Sequence, residues 1–167
     1  MPERRDNLAE ARRQWARHYS PEGARGLHSV SSLGRAAHLL RTAAEEALAP
    51  YGISFAQFEL LQLLMWSRSG GLPMSKISAR LHLPPASLTH TVVRLESQGL
   101  LERVANPQDK RSTLLSITDQ GIVLTASAGP ALDAFFADIP VEPQVHDALI
   151  ACTDTIRKSY GDKVQEL

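Results

Sequence analysis

One run, Met74 to Thr118, restricts the possible folds of this chain more than any other: MSKISARLHLPPASLTHTVVRLESQGLLERVANPQDKRSTLLSIT. In Met74–Leu81, Met74, Ile77 and Leu81 recur at helical spacing, with Lys76 and Arg80 on the other side. His82-Leu83-Pro84-Pro85 then forces a turn, and its second proline suits a first helical position. From Ala86 a second helix places Leu88, Val92 and Leu95 on one face and Ser87, His90 and Arg94 on the other. Gly99 stops it through a left-handed cap. Leu100–Val104 and Ser112–Ile117 then read as two short strands around a tip, Ala105–Arg111, that carries an Asn-Pro turn and the adjacent cations Lys110 and Arg111.

Helix, turn, helix and hairpin in this order predict a winged helix-turn-helix, a shape that presents its second helix to the major groove of duplex DNA. The fold class expected is mainly α (α+β). Base edges or phosphates are within the chemistry of Ser87, His90 and Arg94 on the outward face, and the hairpin tip suits a minor groove. Lys76, Arg80, Arg103 and Lys110 supply phosphate charge.

The formal net charge of zero does not oppose this reading, because it is an average over a polarised chain. Residues 1–73 carry +2, residues 74–118 carry +3 and residues 119–167 carry −5. A basic module beside an acidic C-terminal part suits DNA on one side only.

Around the module the chain reads as helix. Asn7–His18 has helical tendency, with Leu8, Ala11 and Trp15 on one stripe, and is expected to be an added helix that packs Trp15 on a partner subunit or an N-terminal arm. Ser20-Pro21-Glu22-Gly23 is expected to be a loop. Leu27, Val30, Leu33, Ala37, Leu40, Ala44 and Leu48 mark a long amphipathic helix whose stripe exceeds what the small module can cover. Ser54 and Gln57 have capping-box spacing and start a helix at Phe55. After Thr118-Asp119 a further helix is expected to kink or break at Gly129-Pro130, and Val145, Leu149, Cys152 and Ile156 form the buried stripe of a last one. The division expected is an extension over 1–26, a helical dimerisation region over 27–53 and 119–167, and a DNA-binding domain over 54–118.

Other function classes are poorly supported. There is no phosphate-binding glycine loop, no zinc spacing and no nucleophile-base pair on one element, so no enzyme, cofactor or metal is expected. His28 and His38 lie too far apart along one helix to act together. The single Cys152 precludes an internal disulfide. The N-terminus is charged where a signal peptide is apolar, and the apolar cluster around Leu60–Trp66 is too short for a bilayer, so a cytoplasmic location and no membrane partner are expected.

This order of elements resembles the MarR family of bacterial regulators (multiple antibiotic resistance regulator) over about Leu27 to Tyr160. Its most specific part is Leu88 to Gly121, through Leu95, Gly99-Leu100, Asp109-Lys110-Arg111 and Ile117-Thr118. The resemblance implies a homodimer on a pseudo-palindromic operator, often repressing, released by a small phenolic or anionic effector. It makes Arg111 the minor-groove arginine of the wing and Asp109 its orienting partner. Ser87, Thr89, His90 and Arg94 fall on its major-groove positions. Trp15, His38 and Trp66 are the effector candidates, with Tyr51 beside them. Two departures stand out: Pro84-Pro85 replaces a serine cap, which is expected to shift the helix start, and His90 replaces a common arginine, which alters the base preference expected. The competing readings are a winged-helix module that binds protein, and a regulator without an effector.

Overall fold

A computed structural model of the chain describes residues 6–67, 70–109 and 112–165. Seven α-helices and one two-stranded sheet follow in order among them. These are α1 (Asn7–His18), α2 (Pro21–Leu48), α3 (Phe55–Met65), α4 (Met74–Leu81), α5 (Pro85–Ser97), β1 (Leu101–Ala105), β2 (Thr113–Ile117), α6 (Asp119–Ala137) and α7 (Pro143–Ser159). The chain divides after Asp133 into two compact units. Among the described residues no helix is long and apolar enough to cross a membrane, and no group of His, Cys, Asp or Glu could hold a metal ion.

The helix starts follow from local chemistry. Asp6 caps α1, its carboxylate accepting from the N–H groups of Leu8 and Ala9. The loop expected at Ser20–Gly23 is instead the first turn of α2. Ser20 accepts from Gly23 N–H at 3.0 Å, and Pro21 occupies the first turn, where its missing N–H costs nothing. The serine-proline pair that reads as a breaker is here a helix start, so α2 begins before Leu27. At Ser54 the capping box is complete: Gln57 N–H donates to Ser54 Oγ at 3.2 Å, and Ser54 N–H donates to Gln57 Oε1 at 2.8 Å.

The core of the first unit gathers Leu48 from α2, Phe58, Leu60, Leu61 and Leu64 from α3, Ile77 from α4, and Leu88, Val92 and Leu95 from α5. Leu101 and Leu115 close it from the sheet. Each such side chain contributes about 1.5–3 kcal/mol on burial. The strands pair antiparallel with Leu101 opposite Ile117 and Arg103 opposite Leu115. Leu72, ahead of α4, exchanges two backbone hydrogen bonds with Leu115 at 2.8 and 2.9 Å, which anchors the hairpin to the helices as its marginal size requires.

The long helix α2 is covered towards its two ends and bare between them, with Ala24 buried near its start. Ala44 and Leu48 are buried, whereas Val30 is 73% exposed and Leu33, Leu39 and Leu40 also face solvent. The expectation that its stripe outruns the module therefore holds for the single chain. Trp15 of α1 lies against the first turn of α2 in its own chain: a Cβ added to Gly23 would sit 3.0 Å from Trp15 Nε1. Its ring stacks obliquely on Tyr19 at 4.6 Å between centroids.

Two readings of the C-terminal part change. Of the kink or break expected at Gly129-Pro130 there is no break: helix α6 is continuous through Pro130, which is exposed. Cys152 is exposed and not part of a buried stripe, and α7 buries none of its residues. Val145, Leu149, Ile150 and Ile156 of that helix all face solvent.

Candidate nucleic-acid interface

The turn between α4 and α5 is built by backbone strain and one hydroxyl. His82 takes a left-handed conformation, φ 50°. The Leu83 N–H donates back to the carbonyl of Ser78 at 3.2 Å, and the Ser78 hydroxyl donates to the carbonyl of Leu83 at 2.7 Å. Pro84 is extended and Pro85 opens α5 without a side-chain cap, so the serine cap that the prolines displace has no substitute. Ile77, Leu88, Val92 and Leu95 are fully buried between the two helices and the core, which fixes the rotation of α5 about its axis.

That rotation leaves Ser87, Thr89, His90 and Arg94 exposed together on the opposite face. The Thr89 hydroxyl donates to the carbonyl of Pro85 at 2.8 Å. Sequence reasoning missed Val93, which is 55% exposed on the same face. The signal was available, since Val93 lies three residues after His90 and four after Thr89, the spacing that brings helical neighbours together. Lys76 and Arg80 are exposed on α4.

Helix α5 ends in a Schellman motif. Gly99 has φ 71°, its N–H donates to the carbonyl of Glu96, and Leu100 N–H donates to the carbonyl of Leu95, both at 3.0 Å. The chain then enters β1, one residue later than the strand expected from Leu100. Arg103 on β1 donates from Nε to Glu96 at 3.3 Å, which ties the wing to α5 across a half-exposed ion pair. An exposed pair of this kind is worth less than about 1 kcal/mol.

At the hairpin tip Asn106 organises the loop. Its side-chain oxygen accepts from Gln108 N–H at 3.0 Å, and its amide donates to Ser112 Oγ at 2.9 Å. The Ser112 N–H donates to the carbonyl of Asp109 at 3.0 Å. Lys110 and Arg111 lie outside the described residues, so the pairing of Asp109 with Arg111 rests on the sequence alone.

The effector candidates are not brought into one cavity. Trp15 lines an open cavity of about 440 Å³ with Ala11, Gln14, His18, Tyr19 and Leu27. Trp66 caps the C-terminus of α3 and is 69% exposed. His38 is exposed on the bare length of α2, and Tyr51 lines a separate cavity with Ile53, Gln98 and Gln120.

Comparison with known proteins agrees with this geometry. Residues 53–113 match the model of the MarR family. The chain is 36% identical over 74 residues to the HTH-type transcriptional regulator MhqR of Bacillus subtilis (strain 168), a match covering 44% of this chain and 50% of MhqR. The chain thus spans about half the length of the curated relatives it matches first. The solved structure of Sco5413, a MarR family transcriptional regulator from Streptomyces coelicolor, superposes with a TM-score of 0.74 at 35% identity. That superposition covers 84% of this chain and 98% of Sco5413. The transcriptional repressor CouR bound to a 23-mer DNA duplex superposes with a TM-score of 0.67 at 27% identity, over 75% of this chain and 89% of CouR.

Proposed function

The chain belongs to the MarR family of transcriptional regulators, and from that membership we propose that it acts as a homodimeric repressor of the cytoplasm, bound to a pseudo-palindromic operator and released by a small phenolic or anionic molecule. The observation that carries the DNA contact is the division of α5: three fully buried residues, Leu88, Val92 and Leu95, fix its inner face, and Ser87, Thr89, His90 and Arg94 are exposed away from it. Two such helices enter successive major grooves about 34–36 Å apart. Lys76, Arg80, Arg103 and Lys110 contact phosphates, and Arg111, oriented by Asp109, enters the flanking minor groove.

The exposed apolar residues of α2 support the homodimer, because a water-facing stripe of this length is an unmet packing surface. In this reading residues 27–53 and 119–167 form the dimerisation region, residues 54–118 the DNA-binding domain and residues 1–26 an extension. The aromatic cavity beside Trp15 and Tyr19 supports an effector, with His18 as a hydrogen-bonding group; His38 and Trp66 are further contacts.

The test is selection from a random duplex library by the purified chain, combined with sedimentation in the absence of DNA. A dyad-symmetric consensus bound by two copies is the expected outcome. A module that binds protein would recover no consensus, and a monomer bound to an asymmetric site would refute the dimer.

A further inference from the structure

We propose that Val93, with Thr89 one turn before it, reads the C5-methyl group of a thymine in each half-site. This rests on the DNA-binding reading above and adds to it a residue and a base.

The outward face of α5 is divided lengthwise. At about 100° per residue, His90 lies within about 20° of the direction opposite the buried Leu88, Val92 and Leu95. Ser87 and Arg94 fall on one side of His90, and Val93 and Thr89 on the other. The Ser87 and Arg94 side is polar and cationic. On the other, Val93 has no polar atom, and Thr89 has committed its hydroxyl proton to the carbonyl of Pro85 at 2.8 Å. Neither side chain on this flank has a proton to donate to a base edge.

An exposed, branched apolar residue is a poor choice for a helix surface: it loses rotamer freedom and gains no packing in the chain by itself. Val93 is 55% exposed in the middle of the helix, and the exposed side chains around it, Thr89, His90, Arg94 and Glu96, are all polar. In the major groove one group alone is apolar, the methyl of thymine, and side chains of this kind recognise it by contact. Val93 and Thr89 stand four residues apart and are therefore neighbours on the surface, forming a strip that matches a methyl in a groove wall. Arg94 and His90 beside it supply the donors for the polar edges of adjacent bases, so the two flanks read different chemistry in one docking pose.

Deoxyuridine lacks only the thymine methyl, which permits a direct test. A duplex selected by the full chain from a random library is resynthesised with each thymine replaced in turn by deoxyuridine, and affinities are measured by fluorescence anisotropy at fixed salt. At one thymine in each half-site the wild-type chain should lose about fourfold in affinity per methyl removed. Val93→Ala should bind the thymine duplex more weakly by a similar factor and be indifferent to the same replacement, with an unchanged melting curve because the side chain is exposed. Val93→Ile should retain the discrimination. If Val93→Ala responds to every replacement as the wild type does, or if the selected half-site has no thymine, the assignment is overturned and the DNA-binding reading stands. If the wild-type chain selects no sequence at all, both fall.

Discussion

The hydroxyl of Thr118 donates to the carbonyl oxygen of Gly99 at 2.7 Å and accepts from the N–H of Gly121 at 3.1 Å. One side chain thus joins the exit of α5 to the entrance of α6, the helix that follows the hairpin. Thr118→Val keeps the shape and removes both bonds. It should lower unfolding free energy by about 1–2 kcal/mol in urea titration, the cost of a lost helix cap and an unpaired carbonyl. A change near zero would show that water replaces the hydroxyl.

The same joint depends on a missing side chain. A Cβ on Gly121 would lie 2.1 Å from the carbonyl oxygen of Leu100 and 2.7 Å from Ile117 Cγ1, so α6 and the strand entrance approach through that glycine. Because the nearest obstacle is backbone, Gly121→Ala should cost roughly 1–3 kcal/mol or more in the same titration. Stabilisation, the usual result of this exchange in an open helix, would refute the close approach.

His82 holds a conformation that glycine adopts without strain. His82→Gly should raise stability by a few tenths to about 1 kcal/mol, read as a higher denaturant midpoint with an unchanged slope, because relief of φ 50° outweighs the added freedom of the unfolded chain. A lower midpoint would assign His82 a packing role.

Partial burial pushes the carboxyl of Glu59 above the ordinary glutamate range, against the pull of the Arg41 guanidinium. The folded state therefore holds this proton more tightly than the unfolded state. Its contribution to stability is full below the unfolded value and is lost as pH rises through the raised one. Glu59→Gln should accordingly raise the melting temperature near pH 7, with the gain shrinking towards about pH 4, where the wild-type carboxyl is protonated too. An equal gain at both pH values would trace the effect to packing.

Arg94→Ala should reduce affinity for the selected duplex by roughly 1–3 kcal/mol and relax the preference at one position of each half-site. A uniform loss across sequences, with a shallower salt dependence, would make Arg94 a phosphate contact instead.

What the sequence made legible was set by whether a signal is local. The inward set of α5 is periodic, and Ser54 and Gln57 are three residues apart, so both could be read directly. Ser20-Pro21 could not, because the same two residues serve as a breaker or as a helix start, and the choice depends on α1 packing Trp15 against the turn. Cys152 was misplaced because periodicity identifies an apolar face and not whether the chain itself covers it. The Arg103 to Glu96 pair and the fit of Gly121 against Leu100 join segments whose approach is decided by the sheet register. Val93 went unnamed for a different reason: the outward face was searched for polar residues alone.

The bare stripe of α2 also bears on dosage. If a second copy covers Val30, Leu33 and Leu40, the amount of binding-competent species rises with the square of chain concentration while assembly is weak, and only linearly once it is saturated. Transcriptional output would then respond to the number of copies with a threshold, set by the apolar area of one helix before any ligand or operator takes part.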